Sequence, residues 1–281
     1  MTSEQTSFSK RRMYNIFGAD GRSLIVALDH GAAIDVYPHL ACPERLISEV
    51  VRGGCDALLT TFGVSQKCAR EIANRGLILR ADGGSSELGT YQEPVLLYSV
   101  ESALQVGADA IACMAFPGSP FEKATLKNVS RLAADCVRWS MPLMVEVLPG
   151  GFASPELHTI RNLRIACRIA AELGADFVKT KFVGGEEFHE VVDGCYCPIV
   201  VLGGERTSSE AEFLSMIQNA LRAGAAGVAI GRNVWQHANS SALVWAISAM
   251  VHEGASLEQS LERLSKNVPA QFAPARSGFS Q

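Results

Sequence analysis

The sequence has no long apolar run. No stretch approaches the roughly 18 residues that a membrane-spanning helix requires, and the best, residues 242–251, is interrupted by Ser248. That segment fits a buried helix instead. The N-terminus, residues 1–9, is polar and lacks the apolar centre of a secretory signal, so a cytoplasmic protein with reduced thiols is expected. Excess positive charge is also missing: 25 Lys and Arg face 29 Asp and Glu, for a formal charge of -4. With Lys10-Arg11-Arg12 too short to matter, this argues against nucleic acid as a partner. Metal-ligand patterns are scarce. Of six histidines, only His30 falls at an expected strand end, so no His pair stands at ligand spacing. There are eight cysteines, but Cys195-Tyr-Cys197 has no second pair at zinc-finger spacing. Cys55, Cys113, Cys136 and Cys167 lie in apolar segments, where a thiol acts as a small hydrophobe. No metal is expected.

What is present is the balance of an enzyme-sized globular chain: 281 residues, 48% apolar and 19% charged. That length suits one α/β barrel or two smaller domains. One phrase recurs, as Gly54-Cys-Asp56, Gly107-Ala-Asp109, Gly174-Ala-Asp176 and Gly224-Ala-Ala226. Each closes an amphipathic segment and opens an apolar run. Glycine there supplies the left-handed residue that ends a helix. The marks are roughly 50 to 70 residues apart, about two βα units each, so four of them predict a (β/α)8 TIM barrel.

Counting elements leads to the same fold. Short apolar runs at 24–29, 56–61, 77–81, 109–114, 142–148, 176–182, 198–202 and 227–231 are expected strands. Helical patterns alternate with them at 43–53, 64–74, 99–106, 121–139, 155–173, 186–192, 208–222 and 240–252. Residues 8–17 are expected to cross the barrel bottom as a helix, and 257–264 to form a terminal one. Nothing marks a boundary within 1–281, so a single domain is expected, with 1–9 and 269–281 loosely ordered.

Chemistry in such a barrel sits where strands end. The sixth expected strand carries Lys179 and Lys181, two residues apart and so on one face, about 7 Å from each other. Two ammonium groups at that distance repel by roughly 2.4 kcal/mol at an effective dielectric of 20, enough to lower one pKa by up to about 1.7. An enclosed lysine held partly neutral attacks carbonyls to form a Schiff base. The plain alternative is that both lysines reach solvent from the strand end. Around them the strand ends deliver Asp29 and His30, Arg80 and Asp82, and Glu146. An amine nucleophile with carboxylates to move protons is a Schiff-base constellation. The alternatives are a capping Asp29 beside a core His30, and a structural pair of Glu146 with Arg80. Turns at Gly203-Gly204 and Gly231-Arg232 follow the seventh and eighth strands, where barrels bind phosphate through backbone N–H groups.

These residues resemble the class I Schiff-base aldolases: the archaeal-type fructose-bisphosphate aldolases, deoxyribose-phosphate aldolase, the aldol enzyme of archaeal aromatic biosynthesis and the autoinducer-2 phosphate thiolase. The matching segments are Leu24-Ile-Val-Ala-Leu-Asp-His-Gly31, Phe116-Pro-Gly-Ser119, Ala175-Asp-Phe-Val-Lys-Thr180, Val201-Leu-Gly-Gly204 and the run from Ala223 to Gln236. The resemblance implies that Lys179, not Lys181, is the Schiff-base lysine, with Asp29 against it. It also implies that Gly204, Gly231 and Arg232 surround a substrate phosphate, and that the chain forms a ring-like homo-oligomer. No cofactor is implied beyond the covalent imine.

One segment departs. The aldolases commonly end the fifth strand in Trp-Ser-Tyr-Pro-Arg-Gly, whose Tyr moves a proton; here the run is Glu146-Val-Leu-Pro-Gly-Gly151. Leu148 cannot do that work. Either Glu146 takes it over, or the reaction differs, as in the thiolase branch, which also lacks the Tyr and uses coenzyme A. The expected function is therefore an aldolase acting on a phosphorylated keto compound. The alternatives are acyl transfer to coenzyme A and a non-catalytic sugar-phosphate-binding barrel.

Overall fold

The structure, a computed structural model, describes residues 8–266 and 268 apart from 36, 85, 90–92 and 205. Eight parallel strands close on themselves: β1 (Ser23–Ala27), β2 (Ala57–Thr60), β3 (Gly76–Arg80), β4 (Ala110–Ala115), β5 (Leu143–Val147), β6 (Phe177–Lys181), β7 (Ile199–Leu202) and β8 (Gly227–Ile230). Each strand pairs with its sequence neighbours, and β1 pairs with β8 from Ser23↔Gly227 to Val26↔Ile230. The expected TIM barrel is present.

Strand alternation splits the apolar residues into two cores. Leu24, Val26, Val145 and Val178 point outward into the shell under the helices. Ile25, Ala27, Ile78, Met144, Phe177, Val200 and Ala229 point inward. The same parity carries Arg80, Glu146, Lys179 and Lys181 to the interior, one layer or more above Ile78, Met144 and Phe177. Charged groups thus stand on an apolar floor. That floor is sealed from below by Met13, Ile16 and Phe17, with the Phe17 ring edge-on to Phe177 at 5.3 Å. The sealing segment is the expected bottom element, formed as a short 3-10 turn, Arg11–Asn15, rather than a full helix. Phe8, expected in a loose end, packs on Phe17 at 5.1 Å. Residues 1–7 and 269–281, the rest of the expected loose ends, lie outside the described residues.

The repeated Gly-x-Asp phrase has a structural cause. Gly54, Gly107, Gly174 and Gly224 all adopt positive φ, between 72° and 103°, which turns the chain from helix into strand. The following aspartate then closes the first rung of the sheet with two groups. The backbone N–H of Asp56 donates to Leu24 O (2.9 Å), and its carboxylate accepts from the Leu24 N–H (2.6 Å). Asp109 does the same with Leu77 and Asp176 with Leu143. In the fourth copy Ala226 keeps only the backbone half.

Helices cover the barrel as expected, with local differences. Pro43–Gly53 and Leu257–Leu264 have the expected limits. The 64–74 pattern breaks at Cys68 into Phe62–Lys67 and Ala69–Ile72. The 155–173 pattern begins as a 3-10 turn and becomes helical only at Ile160–Glu172, where the Thr159 hydroxyl caps the first turn. Three short elements were not expected: a 3-10 turn His30–Ala32, a ribbon pairing Asp82–Gly83 with Val95–Leu96, and a helix Arg232–Trp235. Among the described residues no helix is long and apolar enough to cross a membrane.

Candidate active site

Glu146 on β5 and Lys179 on β6 are register partners. Their side chains meet inside the barrel, with Lys179 Nζ 3.0 Å from Glu146 Oε1, both residues 5% exposed. A buried ion pair is retained only when its other polar atoms are also satisfied. Here Arg80, at the end of β3, satisfies them. Its Nη2 donates to Glu146 Oε2, its Nε donates to Asp29 Oδ2 at 2.8 Å, and its Nη1 lies 3.5 Å from Asp82 Oδ1. Asp82 Oδ2 in turn accepts the Met114 backbone N–H at 2.7 Å. The structure therefore brings together Asp29, Arg80, Glu146 and Lys179 in one network. Glu146 has both of its expected partners, Arg80 and Lys179.

Charge decides the ionisation of the two carboxylates. Burial pushes Glu146 up, but Lys179 and then Arg80 more than offset it, and its pKa falls below the ordinary value. Burial also raises Asp29; Arg80, followed by Lys179 and His30, pulls it down to about 2. Both are held as anions. Asp82 goes the other way: burial pushes it up, and Arg80 and the Met114 N–H compensate only in part.

His30 is half-buried beside this network. Its Nδ1 lies 3.5 Å from Asp29 Oδ1 without a hydrogen-bonding geometry, and its ring sits edge-on to Trp235 at 5.5 Å. Burial lowers its pKa against the opposing pull of Asp29. Asp29 does not cap the 3-10 turn His30–Ala32 with its side chain; the carboxylate turns to Arg80 instead. Lys181 is half-buried further up the same face as Lys179 and, among the described residues, makes no ion pair.

The two glycine turns follow β7 and β8, which stand in the barrel between the Lys179 strand β6 and β1, the strand that leads to Asp29. Asn233 ties them together: its Nδ2 donates to Gly203 O at 3.0 Å, and its Oδ1 accepts from the Thr207 N–H at 3.0 Å. Gly204 has φ +66°, and a side chain there would point into open space. Gly231 is different. A Cβ would stand 2.6 Å from His30 Cε1 and 2.8 Å from Ala27 O, so this glycine is required by packing of the protein on itself. Arg232 Nε is buried and, among the described residues, has no hydrogen-bond partner. All eight cysteines are free; Cys195 and Cys197 direct their thiols at the carbonyls of Cys167 (3.7 Å) and Ala175 (3.0 Å). Among the described residues no group of three His, Cys, Asp or Glu side chains is placed to hold a metal ion.

Comparison with known proteins places this geometry. Residues 23–237 match the DeoC/LacD family aldolase. The chain belongs to that family. A 2-amino-3,7-dideoxy-D-threo-hept-6-ulosonate synthase of Halobacterium salinarum is 35% identical over 267 residues, 94% of this chain and 100% of that one. A 3-hydroxy-5-phosphonooxypentane-2,4-dione thiolase of Klebsiella pneumoniae is 31% identical over 252 residues, 89% of this chain and 83% of that one. Among solved structures, an archaeal fructose-1,6-bisphosphate aldolase with its catalytic lysine covalently bound to the carbinolamine intermediate is 32% identical. It superposes with a TM-score of 0.79 over 85% of this chain and 98% of that one.

Leu148, where the resemblance leads one to expect a Tyr, is buried at 2% exposure on the same inward parity as Glu146. No hydroxyl replaces it there. Sequence reading alone missed the central role of Arg80 as a three-way partner, and the stitching by Asn233. The signal for Arg80 was its inward parity at a strand end together with the aspartate two residues on. Asn233 left none, because it acts on the protein's own loops.

Proposed function

We propose that this aldolase forms a Schiff base at Lys179 and breaks or makes a C–C bond in a phosphorylated ketose or related keto compound. The supporting observation is the placement of Lys179 Nζ in a water-poor interior, 3.0 Å from an ionised Glu146. An amine must lose a proton before it attacks, and Glu146 Oε1 is in position to receive it. Nζ then bonds to the ketone carbon, and the carbonyl oxygen takes that proton from Glu146 to give a carbinolamine, which leaves Glu146 an anion again. Asp29 assists that step and the departure of the hydroxyl as water, which leaves an iminium. The iminium accepts the electron pair of the C–C bond as it breaks. Glu146 removes the proton from the hydroxyl of the departing half as that oxygen becomes an aldehyde, then returns it to the enamine carbon, and water hydrolyses the resulting iminium to free Lys179. The iminium is the electron sink, so this reading calls for no metal and no organic cofactor. Arg232 and the turns at Gly203, Gly204 and Gly231 hold the phosphate, with the unpartnered Arg232 Nε available to it.

Leu148 supports a second reading, acyl transfer from a phosphorylated diketone to coenzyme A, because it removes the proton-moving Tyr of the resembling aldolases. One experiment separates the two. The protein is incubated with phosphorylated ketoses and diketones, with and without coenzyme A, and the products are identified. Aldehyde release without coenzyme A supports the aldolase; acyl-coenzyme A formed only in its presence supports the thiolase. A homo-oligomer is proposed from the resemblance and is checked by light scattering.

A further inference from the structure

We infer that Arg80 is a positioning residue: it clamps one oxygen of Glu146 and one of Asp29, leaving each a single oxygen free for the reaction, and shares their charge with Lys179. The inference rests on the Schiff-base reading above and concerns how the same site is made to work.

The geometry is a divided one. Glu146 Oε2 is taken by Arg80 Nη2, so only Oε1 faces Lys179, at 3.0 Å. Asp29 Oδ2 is taken by Arg80 Nε at 2.8 Å, so only Oδ1 remains turned towards His30. A guanidinium suits this task, because its planar fork fixes the carboxylates and it stays charged at any working pH. A lysine would supply the charge without the fork.

Charge balance gives the second argument. The groups that face one another here are Asp29 and His30 beyond β1, Arg80 and Asp82 at β3, Glu146 on β5, and Lys179 and Lys181 on β6. Arg232, beyond β8, adds its charge to the environment of His30. With Arg80 in place, two anions that must stay ionised are met by two buried cations. Without it, Asp29 and Glu146 would both depend on Lys179. Both carboxylates would lose a cation that holds their pKa values down, and both would take up protons at higher pH. Arg80 thus acts through Glu146, Asp29 and Lys179 and need not touch substrate.

The test uses the full chain, with Arg80→Met and Arg80→Lys beside the unchanged protein, folding being checked by circular dichroism. Borohydride trapping rates with dihydroxyacetone phosphate and fructose 1,6-bisphosphate are measured from pH 5 to pH 10. For Arg80→Met the expected result is at least a tenfold slower trapping rate at pH 7, with the acid limb of the profile moved up by one pH unit or more. Arg80→Lys should bring the limb back towards its original position while the rate stays low, because charge is restored and the fork is not. The inference is overturned if folded Arg80→Met superimposes on the unchanged protein, or if it loses rate equally at every pH, as a purely structural residue would. Should Arg80→Met not fold, Arg80→Gln takes its place: a slower rate with the acid limb moved up upholds the inference, and an unaltered profile or an equal loss at every pH overturns it. If the unchanged protein traps neither compound at Lys179, the Schiff-base reading itself has failed, and this inference falls with it.

Discussion

Glu146 and Lys179 stand opposite each other in register on neighbouring strands, and their side chains meet at 3.0 Å above an apolar floor. The strand parity that buries Met144 and Phe177 below them puts both charged groups on the inside. Lys179 and Arg80 hold the pKa of Glu146 below its ordinary value, which supports the proposal that Glu146 is the base of the pair. Glu146→Gln keeps the shape and a hydrogen-bond acceptor for Arg80 but ends proton transfer. A positioned general base is typically worth about 10²–10⁴-fold, so kcat should fall in that range, and borohydride trapping at Lys179 should be slowed without being abolished. Retention of more than about a third of kcat would make Glu146 structural and pass its role to Asp29 or water.

The phosphate reading needs a test at the right glycine. Bulk at Gly231 would strike His30 and the Ala27 carbonyl before it met any anion. Gly231→Val is therefore expected to destabilise the protein by about 1–3 kcal/mol through overpacking, seen as a lower Tm. Arg232→Met is the cleaner probe. It should raise KM for a phosphorylated ketone at least tenfold and leave Tm nearly unchanged. An unaltered KM would remove Arg232 from the phosphate site.

At the opposite end of the barrel, His252 bridges Asp20 (2.8 Å) and Asp56 (2.9 Å), and Asp56 also holds the first rung of β1. Burial alone would lower its pKa, but hydrogen bonds and charge from Asp56 and then Asp20 raise it from 6.5 to about 9. A folded-state value above the unfolded one stabilises fully below pH 6.5 and is lost as pH rises through about 9. The full shift corresponds to about 3 kcal/mol. His252→Gln should be less stable than the natural chain at pH 6 and close to it at pH 9.5, by denaturant titration. A constant difference across that range would mean that the clamp carries no charge.

Much of this is legible in the sequence, for physical reasons. Buried parallel strands are short, continuous apolar runs, and the helix-ending glycines mark where each begins, so all eight strands are found within a residue or two. Neighbouring strands lie side by side in a barrel, so strand order and a shared inward parity bring Glu146 and Lys179 together. Other features carry no periodic signal. The Asp82–Gly83 ribbon is two residues long, and the break at Cys68 is a local change of backbone, φ -106° and ψ 22°. Arg80 reaches three carboxylates from three separate parts of the chain, and only the fold determines which of them it meets.

The two lysines of β6 differ in their surroundings: Lys179 is buried against Glu146, and Lys181 is half-buried and more open. Lys181→Met removes a nearby positive charge, so the pH optimum should move alkaline while an imine still forms. The most direct test of the account is therefore borohydride trapping with a panel of phosphorylated ketones, with the adduct located by tandem mass spectrometry. The account predicts a reduced adduct on Lys179 in the natural chain and in Lys181→Met, and none in Lys179→Met. An adduct on Lys181, or trapping that survives Lys179→Met, would contradict it.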